Sequence, residues 1–314
     1  MTTTFLLKNM KLFSALGFRW NRSVVPAVVP THSVERVAFR FHRMLPEFVW
    51  DASVLDGVTI GGRKISDQEQ VLNLATSSKH LLALVKAGKF SLDKATFTEL
   101  HGLVARNEAL EWGHFRGEGL EASYTPDVGL GEHGRYTPLA TVAGAPELNR
   151  VFDSGLQVLQ SEVQQPFEKA AAFFLFGALQ KFFFDGNKRT SRFMMNGILM
   201  SAGIDAISVP AAKTQEFNER MVRFYLERDA TEMMAFLIDC HPDAEKIHEL
   251  DAACRTAFVQ YIVAEQEHRD PCYRMSIKAH RRGKQYGFDH PGLQIKWVDY
   301  RAGWLSGRAS SQSA

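Results

Sequence analysis

The chain has 314 residues, 45% of them hydrophobic, and a formal net charge of +2, which is enough apolar material for one large or two small buried cores. So small a net charge excludes global electrostatic attraction to nucleic acid or membrane, and any such role must come from local clusters. Three cysteines, Cys240, Cys254 and Cys272, form no CxxC pair, which argues against a disulfide framework or a structural zinc site and for a reducing, cytoplasmic setting.

Taken in chain order, the first segment carries Lys8, Lys11, Arg19 and Arg22 with no acid before Glu35, and residues 1–34 are expected to be a basic tail, disordered or loosely docked. Apolar and basic residues then alternate at helical spacing from Glu35 to Phe48, predicting an amphipathic helix that stops near Trp50 and Asp51. Asp56-Gly57 and Gly61-Gly62 mark a loop. Ser66 with Glu69 reads as a capping box for a long helix ending at Gly88, and Ser91 or Asp93 starts the next. Residues 35–110 are thus an N-terminal helical region.

The stretch from Trp112 to Leu139 is glycine-dense and lacks helical periodicity, so it is expected to be loop with one short hairpin at Val128 to Tyr136. Helices follow from Pro146 to about Ser161 and, with Pro166 at a first helical position, from Phe167 to Gln180. The second is the longest apolar run, but Gly177, Gln180 and Lys181 keep it short of the roughly 18 residues that span a bilayer, and it reads as a buried helix. Further helices are expected at Arg189 to Ala202, at Thr214 to Arg228, and from Asp229 or Thr231 to near His241-Pro242. Beyond Tyr261 the helical signals fade. Residues 111–243 form the expected core and 244–314 a C-terminal helix and basic tail.

Between two apolar helical stretches lies Lys181 to Arg192, KFFFDGNKRTSR. A glycine turn leading straight into a helix N-terminus presents free amide N–H groups and the positive end of the helix dipole. Lys188, Arg189 and Arg192 add cationic charge suited to phosphate oxygens. Asp185 fits that positive cluster if Mg²⁺ bridges its carboxylate to phosphates, so the combination points to a nucleotide polyphosphate. Spacing alone leaves open an ordinary helix connection in which Asp185 pairs with Arg189 one turn on.

Phe183, Asp185, Gly186, Asn187, Arg189 and Arg192 stand in register with the Fic-family motif HxFx(D/E)GN(G/K)RxxR, which the run closely resembles, except that Lys181 occupies the histidine position. Gly113-His114-Phe115-Arg116 looks like the family's GxxR segment, and Gly129 to Tyr136 lies where its target-binding flap would be; the resemblance covers roughly Glu35 to Asp243. It implies an all-α, Fic-type helical domain with a short β-hairpin flap and an N-terminal helical extension. It further implies transfer of AMP from ATP to a hydroxyl side chain of a target protein docked at the flap. In that scheme Lys181, Asp185 and Arg189 are catalytic, Asp185 holds Mg²⁺, and Gly186, Asn187, Lys188, Arg189 and Arg192 bind the nucleotide. Self-association is compatible with the resemblance.

The histidine of the motif would deprotonate the target hydroxyl, and a lysine with a pKa near 10.4 is poorly suited to that task at neutral pH. Three readings therefore stay open: slow or retained AMP transfer, a nucleotide-binding pseudoenzyme, and a protein- or DNA-binding regulatory module. His114 and His133 are candidates for a displaced base. Ala52 to Gly57 resembles the family's inhibitory pattern (S/T)xxxE(G/N), with Ser53, Asp56 and Gly57 as the inhibitory residues, although Ala52 and Asp56 depart from it. Near the C-terminus, Arg281, Arg282 and Lys284 among aromatics are a candidate nucleic-acid contact.

Overall fold

The computed structural model describes residues 10–55 and 65–267, together with 296, 297 and 300. The chain divides into two compact units. Among the described residues the larger holds 10–20 and 31–242, and the smaller holds 21–30, 243–267, 296, 297 and 300.

The larger unit is helical apart from one hairpin among its described residues. Its elements are α1 (10–16), α2 (Val34–Leu55), α3 (Ile65–Lys86), α4 (Lys94–Val104), β1 (Val128–Gly129), β2 (Arg135–Tyr136), α5 (Pro146–Glu162), α6 (Pro166–Gln180), α7 (Asn187–Ser201), α8 (Thr214–Glu227) and α9 (Thr231–Asp239). The expectation of an all-α fold with a small hairpin therefore holds. The strands are antiparallel with Val128 opposite Tyr136 and Gly129 opposite Arg135.

α6 and α7 form the centre, both buried around nearly their whole circumference: α6 is apolar on almost every side and must be covered, while α7 buries Phe193 to Met195 and Ile198 to Met200 together with the polar residues of its first two turns. They approach closely where Gly177 faces Ser191: a Cβ on Gly177 would lie 2.1 Å from the Ser191 Oγ. Beside them Phe97 of α4 is the hub of a phenyl cluster, with Phe183 at 4.8 Å, Phe173 at 5.3 Å and Phe152 at 5.7 Å between ring centroids. This cluster anchors the start of the α6–α7 turn through Phe182 and Phe183, both fully buried.

Two local expectations fail for tertiary reasons. α2 runs through Asp51 to Leu55 because the buried Asp51 carboxylate is satisfied from outside the helix, by the Ser208 hydroxyl at 2.9 Å and the Ala211 amide at 3.0 Å. Residues 10–20, expected to be a loose tail, pack instead: Leu16 and Phe18 are fully buried. There the Leu16 carbonyl accepts from Gln180 Nε2, and the Trp20 indole N–H donates to Glu168 at 2.8 Å. Asp93 is the residue that caps α4, its carboxylate accepting from the Thr96 amide.

In the smaller unit α10 (Ala244–Glu267) continues past Tyr261. Phe258 and Ile262 of this helix pack with Cys254, Ala27 and Trp297, partners that its local sequence does not reveal.

Candidate functional site

The α6–α7 turn is held by contacts within and beyond itself. Lys181 ends α6 in the left-handed conformation, φ 48°, and Gly186 opens α7 at φ 69°. Between them Asn187 closes the loop reciprocally: its Oδ1 accepts from the Phe183 amide at 2.9 Å and its Nδ2 donates to the Phe183 carbonyl at 2.8 Å. Gly186, the N-cap of α7, has no side chain with which to cap the helix, and the positive end of the α7 dipole lies beside Lys188 and Arg189. The sequence reading placed Asn187 in the anion site. Its side chain is committed to the turn, which leaves its backbone for that role.

His101 supports the turn from below. Its ring stacks on Phe183 with centroids 3.6 Å apart. Nδ1 accepts from the Gly113 amide at 3.1 Å, so Nε2 carries the proton and donates to the Asp185 carbonyl at 3.0 Å. Burial, aided by Arg189 and His114, pulls its pKa down to about 3 against the opposing pull of Asp185, so the imidazole is neutral. Sequence reasoning missed this residue, yet a signal was available: His101 lies on the buried stripe of α4 with Phe97, Leu100 and Val104.

Arg116 ties the turn to the glycine-dense segment. It is fully buried and donates from Nε to the Lys181 carbonyl at 2.7 Å, from Nη1 to Thr141 Oγ1 at 2.7 Å and from Nη2 to the Leu139 carbonyl at 2.6 Å. Its amide reaches the Phe182 carbonyl at 2.9 Å. Burial lowers its pKa to about 10, which leaves it charged at neutral pH. Lys94, paired with Glu118 and lying 4.5 Å over the Phe115 ring, fixes the same segment from the other side.

A pocket of about 240 Å³ opens on the turn, lined by Lys181, Asp185 to Arg189, Ala178, Tyr225 and the hairpin residues Asp127 to Gly129. Lys181 Nζ donates to the Asp127 carbonyl at 2.8 Å, linking the motif's first position to the base of the hairpin. Burial lowers the Lys181 pKa, as do Lys188 and Arg116, while Asp185 and Asp127 oppose the shift. Tyr225 is locked by its hydroxyl on the Ala178 carbonyl, and Tyr136 stacks on it under the Arg228 guanidinium.

The charge pairing is richer than the sequence suggested. Arg189, only 5% exposed, pairs at 2.7 Å with Glu108, whose other oxygen accepts from Asn73 at 2.7 Å. The expected i, i+4 partner Asp185 is more distant, at 3.6 Å. Glu108 follows α4 in a stretch with no motif character, so nothing local marks it. Asp185 keeps its carboxylate two-thirds exposed, with Oδ1 accepting from the Gly186 amide. One exposed carboxylate beside a cationic pocket suits Mg²⁺, which takes few protein carboxylates and completes its shell with phosphate and water oxygens.

Other expected site residues lie apart. Arg192 is buried one turn along α7 and does not line the pocket. His114 and His133, the candidate displaced bases, do not line it either; His114 bonds its neighbour's carbonyl and His133 stands exposed on the hairpin. Ser53 is buried in α2 with its hydroxyl donated to the Trp50 carbonyl, a bond within the helix. Asp56 and Gly57, the rest of the expected inhibitory pattern, lie outside the described residues, as do Arg281, Arg282 and Lys284. No helix among the described residues is long and apolar enough to cross a membrane.

Residues 91–199 match the Fic/DOC family, a span from just before α4 to near the end of α7, so the chain carries a Fic/DOC-family domain. No curated protein matches the chain significantly. Among solved structures, a Fic domain containing signaling protein from Bacteroides thetaiotaomicron aligns at 15% identity and TM-score 0.52, covering 77% of this chain and 94% of its own. Fic-1 from C. elegans (residues 134–508) aligns at 17% identity and TM-score 0.48, covering 71% of this chain and 73% of that one. The Bacteroides protein shares the overall helical fold.

Proposed function

We propose that the Fic/DOC domain of this chain binds a magnesium–nucleoside triphosphate in the pocket beneath the hairpin, with ATP as substrate and a protein hydroxyl as the acceptor of AMP. The observation that carries this reading is the shared pocket: the start of α7, Lys188, Arg189 and an exposed Asp185 carboxylate face one cavity with Lys181. Backbone amides at the helix N-terminus and the Arg189 guanidinium would grip phosphate oxygens. Asp185 would hold Mg²⁺, whose charge offsets that of the polyphosphate when bound.

His101 and Asn187 keep the turn in the shape that aims the amides, and Arg116 fixes the Lys181 carbonyl. Excluding reorganisation in this way is how a preorganised site stabilises developing charge. The target segment would add as a strand against the Gly129 to Tyr136 hairpin, where backbone pairing gives affinity. Lys181 stands at the position from which a base would act on the acceptor. Its ammonium is a poor base, so transfer to a hydroxyl should be slow; loss of a general base typically costs about 10²- to 10⁴-fold.

Calorimetry with ATP and Mg²⁺ should show binding that Arg189→Ala weakens by roughly tenfold or more, as loss of a charge-assisted contact requires. Lys181→His should speed AMP transfer to an acceptor protein. Absence of ATP binding by the wild type would overturn the nucleotide reading, and equal rates for wild type and Lys181→His would overturn the account of the base.

A further inference from the structure

A primary amine has a second chemistry open to it that a histidine base does not share in the same form: it can attack phosphorus itself. Lys181 lines the same 240 Å³ cavity as Lys188 and Arg189, and its Nζ bonds a carbonyl of another lining residue, Asp127. It is also oriented, because one N–H is donated to the Asp127 carbonyl at 2.8 Å and the backbone beneath it is clamped by Arg116 at 2.7 Å. In the neutral amine that single donated bond leaves the nitrogen lone pair uncommitted. We propose that Lys181 is a nucleophile that takes a nucleoside monophosphate from a magnesium–nucleoside triphosphate, forming a lysyl phosphoramidate on this chain. The inference rests on the nucleotide reading of the same pocket.

The step balances without a further reactant. The Nζ lone pair forms a bond to the α-phosphorus, and the bond from that phosphorus to the bridging oxygen breaks. Pyrophosphate leaves with the electron pair, and the nitrogen loses one proton to the leaving group or to water. Lys188 and Arg189, which line the same pocket, would receive the charge that builds on the departing oxygens. A depressed lysine pKa raises the fraction of amine available, and burial of Lys181 acts in that direction. Unlike base catalysis, this role needs no acceptor protein, so the hairpin can be empty when it occurs.

The test uses the full chain with Mg²⁺ and ATP labelled at the α-phosphate. After denaturing quench, label should stay on the protein, survive alkali and be released by acid, as a phosphoramidate is. Peptide mapping of wild type should place it on Lys181, and added pyrophosphate should remove it with return of labelled ATP. Lys181→Arg, which keeps charge and length but not nucleophilicity, should lose the label entirely while still binding ATP in calorimetry. Label that resists acid, or maps to a serine, threonine, tyrosine or another lysine, overturns the proposal. No label despite measured ATP binding also overturns it but leaves the nucleotide site standing. No ATP binding overturns both.

Discussion

His101 makes the support beneath the turn sensitive to acid in a calculable way. In the fold its pKa is about 3 against an ordinary value of 6.5, because the ring is buried between Phe183 and the Gly113 and Asp185 backbone. The folded state therefore binds fewer protons than the unfolded chain at any pH between those values, and stability must fall as pH drops through 6.5. With one unit worth about 1.36 kcal/mol, the loss is roughly 2 kcal/mol by pH 5 and approaches about 5 kcal/mol near pH 3. Urea unfolding of wild type and His101→Gln between pH 7 and 4 isolates this group, since the carboxylates titrate alike in both. The wild type should lose about 1.4 kcal/mol more per pH unit than the variant between pH 6 and 4. Glutamine can still donate toward Asp185, so the variant should fold, although the stacking on Phe183 is weakened. Parallel slopes, or an imidazole that nuclear magnetic resonance finds charged in the folded chain at pH 5, would refute the reasoning.

Glu108→Gln should lower unfolding stability by about 3 kcal/mol, because it leaves the buried Arg189 without its 2.7 Å carboxylate. The same change should tighten ATP binding by roughly tenfold, since phosphate no longer competes with Glu108 for the guanidinium; unchanged affinity would show that the two do not compete. Arg116→Lys should cost about 2–4 kcal/mol in urea unfolding, as one ammonium cannot reach the Lys181 and Leu139 carbonyls and Thr141 together. Asn187→Ala removes both bonds to Phe183 and should destabilise by about 2 kcal/mol while weakening ATP binding. Were only stability to change, the turn's shape would not matter to the ligand.

Much of the framework was legible because its causes are local. The continuous apolar run of α6, the proline at its start, the glycine turn and the cationic start of α7 each declare themselves within a few residues. The hairpin was found from the same kind of evidence, a break in helical periodicity amid glycines. What failed depended on distant partners. Asp51 looked like a helix stop because its satisfying donors lie beyond residue 200, and residues 10–20 looked like tail because their basic, acid-free composition says nothing of the partners near residues 168, 180 and 224 that they pack against.

The candidate site divides along the same line. Sequence identifies which charges stand at the turn, but the engagement of those charges is set by long-range contacts. Arg189 meets Glu108 across 81 residues, Lys181 meets the Asp127 carbonyl across 54, and Arg116 meets the Lys181 carbonyl across 65. Each changes the chemistry that the motif alone suggests. A guanidinium already paired with a carboxylate must exchange partners to take phosphate, so part of any binding energy is offset by the lost ion pair. An amine already hydrogen-bonded to a carbonyl keeps a fixed position, which a base collecting a proton and a nucleophile approaching phosphorus both require. The two roles part at the next step, because only the nucleophile leaves a phosphorus–nitrogen bond behind on the chain.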